Sequence, residues 1–265
     1  MSPSSREREQ ARRRQEAWQR RQVSQAAERR RQRAVVLKAV VVAAVALLVL
    51  VGAWWIGFRD PAGSPEAAAP VASADACPAP TSEPPAEPLQ LDAAPDASAA
   101  QSRTWAATLA TSCGDIGLEL DGAAAPQAVA SFVTLAQDGF FAGTPCHRVT
   151  TQGIFVLQCG DPTGQGTGGP GYSFGPIENA PADDVYPAGT LAMARRGGDA
   201  ESMGSQFFLV YEDSTIPSDD AGGYTVFGRI TSGLDVVQQV AAAGASGGTD
   251  GAPSTPISIE QVTVQ

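Results

Sequence analysis

The residues with chemical potential are few: one histidine, four cysteines, and 17 arginines against a single lysine. His147 stands alone, whereas a metal centre needs three or four clustered ligands. No metal site is therefore expected, and His147 reads as structural. Residues 166–171, GTGGPG, look like a phosphate cradle. They lack the Lys-Ser/Thr that completes a P-loop, which leaves a Gly-rich surface loop. Arg148 follows directly on His147. A guanidinium stays charged and carries a rigid fork of donors. Alone in a strand, such a residue is ordinarily a solvated surface group. Phe155 and Phe208, taken singly, are ordinary core aromatics. The surrounding pattern must decide.

From about Thr104 the chain has the texture of a compact domain of some 160 residues. Alternating or short apolar runs predict strands at Trp105–Thr111, Ile116–Leu120, Cys146–Thr150, Phe155–Cys159, Thr190–Ala194, Phe207–Tyr211, Thr225–Ile230 and Ile257–Val264. Residues 126–137, PQAVASFVTLAQ, place Val129, Phe132, Val133 and Ala136 at helical spacing behind a proline suited to a first turn. A second helix is expected at Leu234–Ala243, closed by Gly244 as its C-cap. Many short strands with only two helices argue for a β-barrel or sandwich and against a βαβ fold.

Before that domain the composition changes twice. The 265 residues sum to −10 with 43% hydrophobic residues, which excludes a disordered acidic chain and argues against nucleic-acid partners. The charge is nevertheless unevenly divided. Residues 1–33 hold eleven Arg and four Glu, while residues 59–265 hold six Arg against 24 acids. Between them Ala34–Phe58 is a 25-residue apolar run with one charge, Lys38. About 20 apolar residues cross a bilayer, and Trp54 and Trp55 fall where an aromatic belt would lie. The arginines before the span place the N-terminus in the cytoplasm and the acidic bulk outside. The rival, a cleaved signal peptide, has a shorter apolar region and a small-residue cleavage site. The tail reads as a topology determinant or a basic helix on anionic headgroups; nucleic acid is not expected there, since Trp18 is its only aromatic. Residues 59–103 carry nine Pro and fourteen Ala, a composition that cannot bury enough surface to offset ordering. They are expected to be a disordered linker.

Within the domain, CHR at 146–148, FVLQCGDPTGQGTGGPGYSF at 155–174, GTLAMAR at 189–195, GSQFFLVY at 204–211 and YTVFGRI at 224–230 occur in this order. The set resembles the cyclophilin-type peptidyl-prolyl isomerases over the domain from about residue 105. With its basic tail, span and linker, the chain looks like the membrane-anchored cyclophilins of high-GC Gram-positive bacteria. The resemblance implies a mainly β fold: a closed eight-stranded antiparallel barrel capped by two helices, with a shallow groove on its outer wall. It places Arg148 at the catalytic arginine, Phe155 and Phe208 at the walls of a proline pocket, and Gln158 and Gln206 along the groove. Val156 stands where Met is usual, Ile216 where Leu and Tyr224 where His are common. Ala194 and Arg195 match a stretch whose backbone pairs with the substrate peptide. No cofactor is implied. The partners would be unfolded or Pro-rich polypeptides carrying X–Pro bonds. Thr215 falls where cyclosporin-sensitive members carry Trp, so weak cyclosporin binding is expected.

This sequence departs from the family pattern by two apparent insertions, at TTQGI before Phe155 and in RRGGDAESMGS. Four cysteines allow three pairings, and an address outside the cytoplasm would permit them. Cys146 and Cys159 fall on strands expected to form one hairpin, which would leave Cys77 with Cys113; free buried thiols are the alternative. Two functions follow for the same groove: an isomerase acting on exported chains, or a non-catalytic X–Pro-binding chaperone or scaffold. The domains expected are thus tail 1–33, span 34–58, linker 59–103 and isomerase-like domain 104–265.

Overall fold

A computed structural model describes residues 77–84 and 87–265. The tail, the expected span Ala34–Phe58 and residues 59–76 of the expected linker lie outside them. Among the described residues no helix is long and apolar enough to cross a membrane.

Strands β1 (Thr104–Thr111) and β2 (Gly114–Asp121) form a hairpin in register from Thr104↔Asp121 to Thr111↔Gly114. Their period-two pattern turns Trp105, Ala107, Leu109, Ile116, Leu118 and Leu120 into the core. Helix α1 (Pro126–Gln137) starts on its proline, and no side chain of its own caps it. The Glu178 carboxylate does so from a distant loop, accepting from the Gln127 and Ala128 amides at 3.0 Å each, where a negative charge also meets the positive end of the helix. The remaining strands are β3 (Thr144–Pro145), β4 (Arg148–Thr150), β5 (Val156–Cys159), β6 (Val185–Tyr186), β7 (Thr190–Met193), β8 (Phe207–Val210), β9 (Ser214–Thr215), β10 (Val226–Ser232), β11 (Asp250–Gly251) and β12 (Ser258–Val264). Helix α2 (Leu234–Ala242) follows β10, buries Val237, Val240 and Ala241, and ends before Gly244.

Among the described residues the fold is mainly β with two α-helices. One sheet runs β11-β4-β5-β8-β7-β10-β2-β1-β12-β3, and β6 and β9 form a separate ribbon. Its ten hydrogen-bonded segments exceed the eight strands expected because the run 144–150 is split into β3 and β4 and the two-residue β11 adds an edge. Up to Cys146 it bonds towards β12, and from His147 it bonds towards β5. Phe132 of α1 fills the interior against Phe141, Phe207 and Phe227, with ring centroids 5.1–5.5 Å apart.

Every residue of β7 and β8 is buried, although one face of their sheet does not meet this core. Leu191, Met193, Phe207 and Leu209 point inward. Ala192, Phe208 and Val210 point the other way, into a second apolar cluster with Val156, Tyr186 and Ile216. That outer cluster explains why FFLV and TLAM read as continuous apolar runs with no alternation.

The described part of the expected linker departs from disorder. Cys77 is disulfide-bonded to Cys113 in the β1–β2 turn. Thr81 donates to Glu260 of β12 through its amide and hydroxyl, at 3.1 and 2.6 Å. The Leu91 amide reaches the Pro170 carbonyl at 2.7 Å. A 3-10 helix, Ala97–Ala100, is capped by Asp96, and Ala100 is fully buried with its carbonyl bonded to the Trp105 indole. Proline and alanine cannot build a core of their own, but this strap borrows one through a covalent link and a distant carboxylate. The second disulfide joins Cys146 to Cys159, beside the β4–β5 pairing.

Candidate functional site

The outer cluster has an opening. A pocket of about 100 Å³ is lined by Ile154, Val156, Phe208, Ile216 and Tyr224, with Arg148, Gln158, Ala194 and Arg195 around it. Phe208 gives it a flat floor, and Tyr224 packs edge-on against that ring with centroids 5.5 Å apart. Tyr224 is held in turn by its amide, which donates to the Tyr186 hydroxyl at 2.8 Å. Ile216 is pinned where its amide meets the Asp184 carbonyl at 2.9 Å.

Phe155 is not part of this wall. Period-two alternation puts residues 154, 156 and 158 on one face, and Phe155 on the other, where it packs against Tyr211 at 5.9 Å beside the main core. Ile154 occupies the pocket instead. Ile154 shares the parity of Val156 and Gln158, so strand alternation alone marks it as a groove residue.

Arg148 sits at the lip, its side chain 38% exposed. Register places it opposite Gln158, whose Oε1 accepts from Arg148 Nη1 at 3.2 Å. Gln158 Nε2 donates to Gln206 Oε1 at 2.9 Å, and Gln206 Nε2 donates to the Gly168 carbonyl at 2.9 Å. Because a carbonyl can only accept, the last bond fixes the orientation of both amides and turns an acceptor towards the guanidinium. On its other edge Arg148 donates through Nε and Nη2 to both oxygens of Asp250, at 2.7 and 2.8 Å. That bond holds the arginine pKa even higher than usual, and the guanidinium likewise lowers that of Asp250. Of five guanidinium N–H groups, three are engaged and two have no partner among the described residues.

Arg195 does not offer its side chain to the groove. Its guanidinium is buried, with its central carbon 4.8 Å from the Tyr224 ring centroid. It bonds to both oxygens of Asp219 and to the carbonyls of Gly222 and Gly223. The Arg195 bond and that from the Gly198 amide hold the Asp219 carboxyl well below the usual range. The side chain thus clamps the loop before Tyr224. Ala194 is tied by its amide to the Gln206 carbonyl at 2.9 Å.

Beyond Gln158 lies a wider cavity of about 630 Å³, walled by residues 166–173, 194–196, 202 and 204–206, with Gln90 of the strap on its rim. The Gly-rich loop is no anion cradle. Buried Asp161 takes the Thr163 amide at 2.7 Å and the Gly168 amide at 3.1 Å, so donors that a phosphate would need are spent on the chain's own carboxylate. A Cβ at 168 would collide with that carboxylate, which is why glycine stands there. His147 packs beneath the loop with both ring nitrogens buried and unbonded. Desolvation pushes its pKa down.

The family model for cyclophilin-type peptidyl-prolyl cis-trans isomerases matches residues 106–264, the stretch that builds the sheet, both helices and the groove. The chain belongs to this family. It is 49% identical over 168 residues to a probable peptidyl-prolyl cis-trans isomerase B of Mycobacterium tuberculosis, covering 58% of this chain and 53% of that protein. The chain thus spans about half the length of that relative. A peptidyl-prolyl cis-trans isomerase of Helicobacter pylori is 46% identical over 140 residues, covering 52% of this chain and 81% of that protein. Among solved structures, a cyclophilin-type isomerase of Cryptosporidium parvum is similar with a TM-score of 0.53 and 27% identity, covering 62% of this chain and 98% of that one. The same protein, solved in the presence of the dipeptide Ala-Pro, gives 0.52 and 28%, covering 60% of this chain and 98% of that one. Motif order brings Gln158, Gln206, Val156, Phe208, Ile216 and Tyr224 to one groove, with Ile154 in the place expected of Phe155. Ile154, Asp250 and Gln90 lie outside the motifs.

Proposed function

We propose that the chain accelerates cis–trans rotation about X–Pro bonds in polypeptides. The observation that carries this is a guanidinium with two unspent N–H groups at the lip of an apolar pocket. The pocket, about 100 Å³ and lined by Ile154, Val156, Phe208, Ile216 and Tyr224, suits a small apolar ring. Amide resonance opposes the rotation by about 18–20 kcal/mol. In the twisted transition state the prolyl nitrogen becomes pyramidal and regains a lone pair. Arg148 donates to that nitrogen, or to the neighbouring carbonyl, more strongly there than in the planar ground state, and this differential binding lowers the barrier. Phe208, Val156, Ile154, Ile216 and Tyr224 hold the ring while the N-terminal side turns. No proton moves, so His147 has no part in the step.

We take the substrate class from the same pocket: unfolded or Pro-rich chains that present an exposed proline, a reading supported by the Cryptosporidium relative having been solved in the presence of Ala-Pro. We place the domain outside the cytoplasm, anchored through Ala34–Phe58. Support comes from the arginine block ahead of that run and from two disulfides of a kind that persists in oxidising compartments. We infer too that the sheet closes into the eight-stranded barrel, because the single run 144–150 contributes β3 at one end of the strand order and β4, next to the edge segment β11, at the other.

The test uses the full chain in detergent with a proline-containing peptide. The wild type is expected to accelerate isomerisation. Arg148→Ala is expected to lose about 100-fold or more in kcat/KM, the scale of removing a preorganised donor, while still binding the peptide. Equal activity of the two proteins refutes the mechanism. Binding without turnover in the wild type favours the scaffold reading.

A further inference from the structure

Asp250 lies 102 residues from Arg148 in sequence, on the two-residue strand β11. That strand pairs Asp250 with Thr150 and Gly251 with Val149. Arg148 is two positions from Thr150 along β4, so the arginine and the aspartate share one face as a diagonal cross-strand pair, within reach of a long side chain. The contact uses both carboxylate oxygens and the Nε–Nη2 edge of the guanidinium. This two-point geometry fixes the plane of the fork as well as its position.

We propose that Asp250 is a positioning residue for the reaction: it orients the guanidinium of Arg148 so that the two remaining N–H groups face the pocket. The proposal rests on the isomerase reading above and adds to it a residue outside the motif-rich stretches. Three features carry it. The Gln158–Gln206–Gly168 chain restrains Arg148 from one side only, through Nη1. Asp250 supplies the restraint on the opposite edge. The side chains are also substantially exposed, 38% for Arg148 and 55% for Asp250. A pair so wet contributes little to stability, so a cost on its removal should appear in the rate and not in folding.

Orientation is what a catalytic donor loses first when a partner is removed, and small misplacements are costly to rate. In full chain held in detergent, Asp250→Ala is expected to lower kcat about three- to tenfold, by loss of a positioning contact. KM should stay within about twofold because the apolar lining is intact. The decisive readout is a double-mutant cycle: in an Arg148→Ala background the Asp250 substitution should change nothing. Asp250→Glu should recover part of the rate, and Arg229→Ala, which breaks an exposed pair with Glu119 on β10 and β2, should leave it unchanged. An unaltered or increased kcat in Asp250→Ala overturns the proposal, as does an equal fractional loss in both Arg148 backgrounds. A wild-type chain without isomerase activity overturns it together with the isomerase reading. An active wild type that fails only the cycle removes Asp250 and leaves that reading standing.

Discussion

At the scale of single residues the groove separates contact from support. Ile154 and Phe155 are adjacent, yet alternation sends one into the pocket and the other towards Tyr211. Ile154→Ala is therefore expected to raise KM for a proline peptide several-fold and leave the melting temperature nearly unchanged. Phe155→Ala should do the reverse, costing about 2 kcal/mol of stability for a half-buried ring with KM held; calorimetry and peptide kinetics on the two variants check this together. If Phe155→Ala raises KM and Ile154→Ala does not, the placement of the two side chains is wrong. The glutamines behave as a unit, since Gln206 orients Gln158 and Gln158 faces Arg148. Gln206→Leu should thus reduce kcat even though Gln206 lies one side chain away from the guanidinium.

At the scale of elements, legibility followed length and partner distance. Helix α1 was readable to its ends because Pro126 and four spaced apolar residues mark it locally, though its true cap, Glu178, is some fifty residues away. The strands β6, β9 and β11 have two residues each, too few to carry any period, and β11 is the one that bears Asp250. The strap shows the same limit from the other side. Its Pro/Ala composition offers no core of its own, and the partners that dock it, Cys113 and Glu260, are far off in sequence. Its docking also gives a pH prediction. Burial works to raise the Glu260 pKa, but bonds from Ser82, Thr81 and Ser258 outweigh it and bring the value from 4.5 to about 2. A depressed carboxylate pKa means the contribution is fully present above the unfolded value and is lost as pH falls through the folded one. Protease cleavage within residues 77–103 should hence rise between pH 4.5 and about 2, and Glu260→Gln should already be sensitive at pH 7. Replacing Cys77 and Cys113 together by Ser should lower stability by about 2–4 kcal/mol, as expected for a loop of this size.

For the whole molecule, the net charge of −10 describes no single part. The acidic portion holds the domain and its two disulfides, while the arginines are concentrated in the first 33 residues. A catalyst of chain folding gains from this division if the groove meets clients as they emerge from the membrane, before proline isomers, which exchange over tens to hundreds of seconds, trap them. The arrangement predicts that the full chain, expressed in a bacterium, fractionates with membranes and resists alkaline extraction. Protease added to intact spheroplasts should remove the domain and spare a fragment containing residues 1–58. Thiol alkylation before lysis should find all four cysteines blocked, since both pairs are bonded. Substituting Glu for six or more of the arginines in residues 1–33 should invert the protection pattern by removing the charge bias that sets orientation. A domain protected in intact cells and reactive at its cysteines would place it in the cytoplasm. The disulfides would then lack the compartment that maintains them, and exported chains could not be its clients.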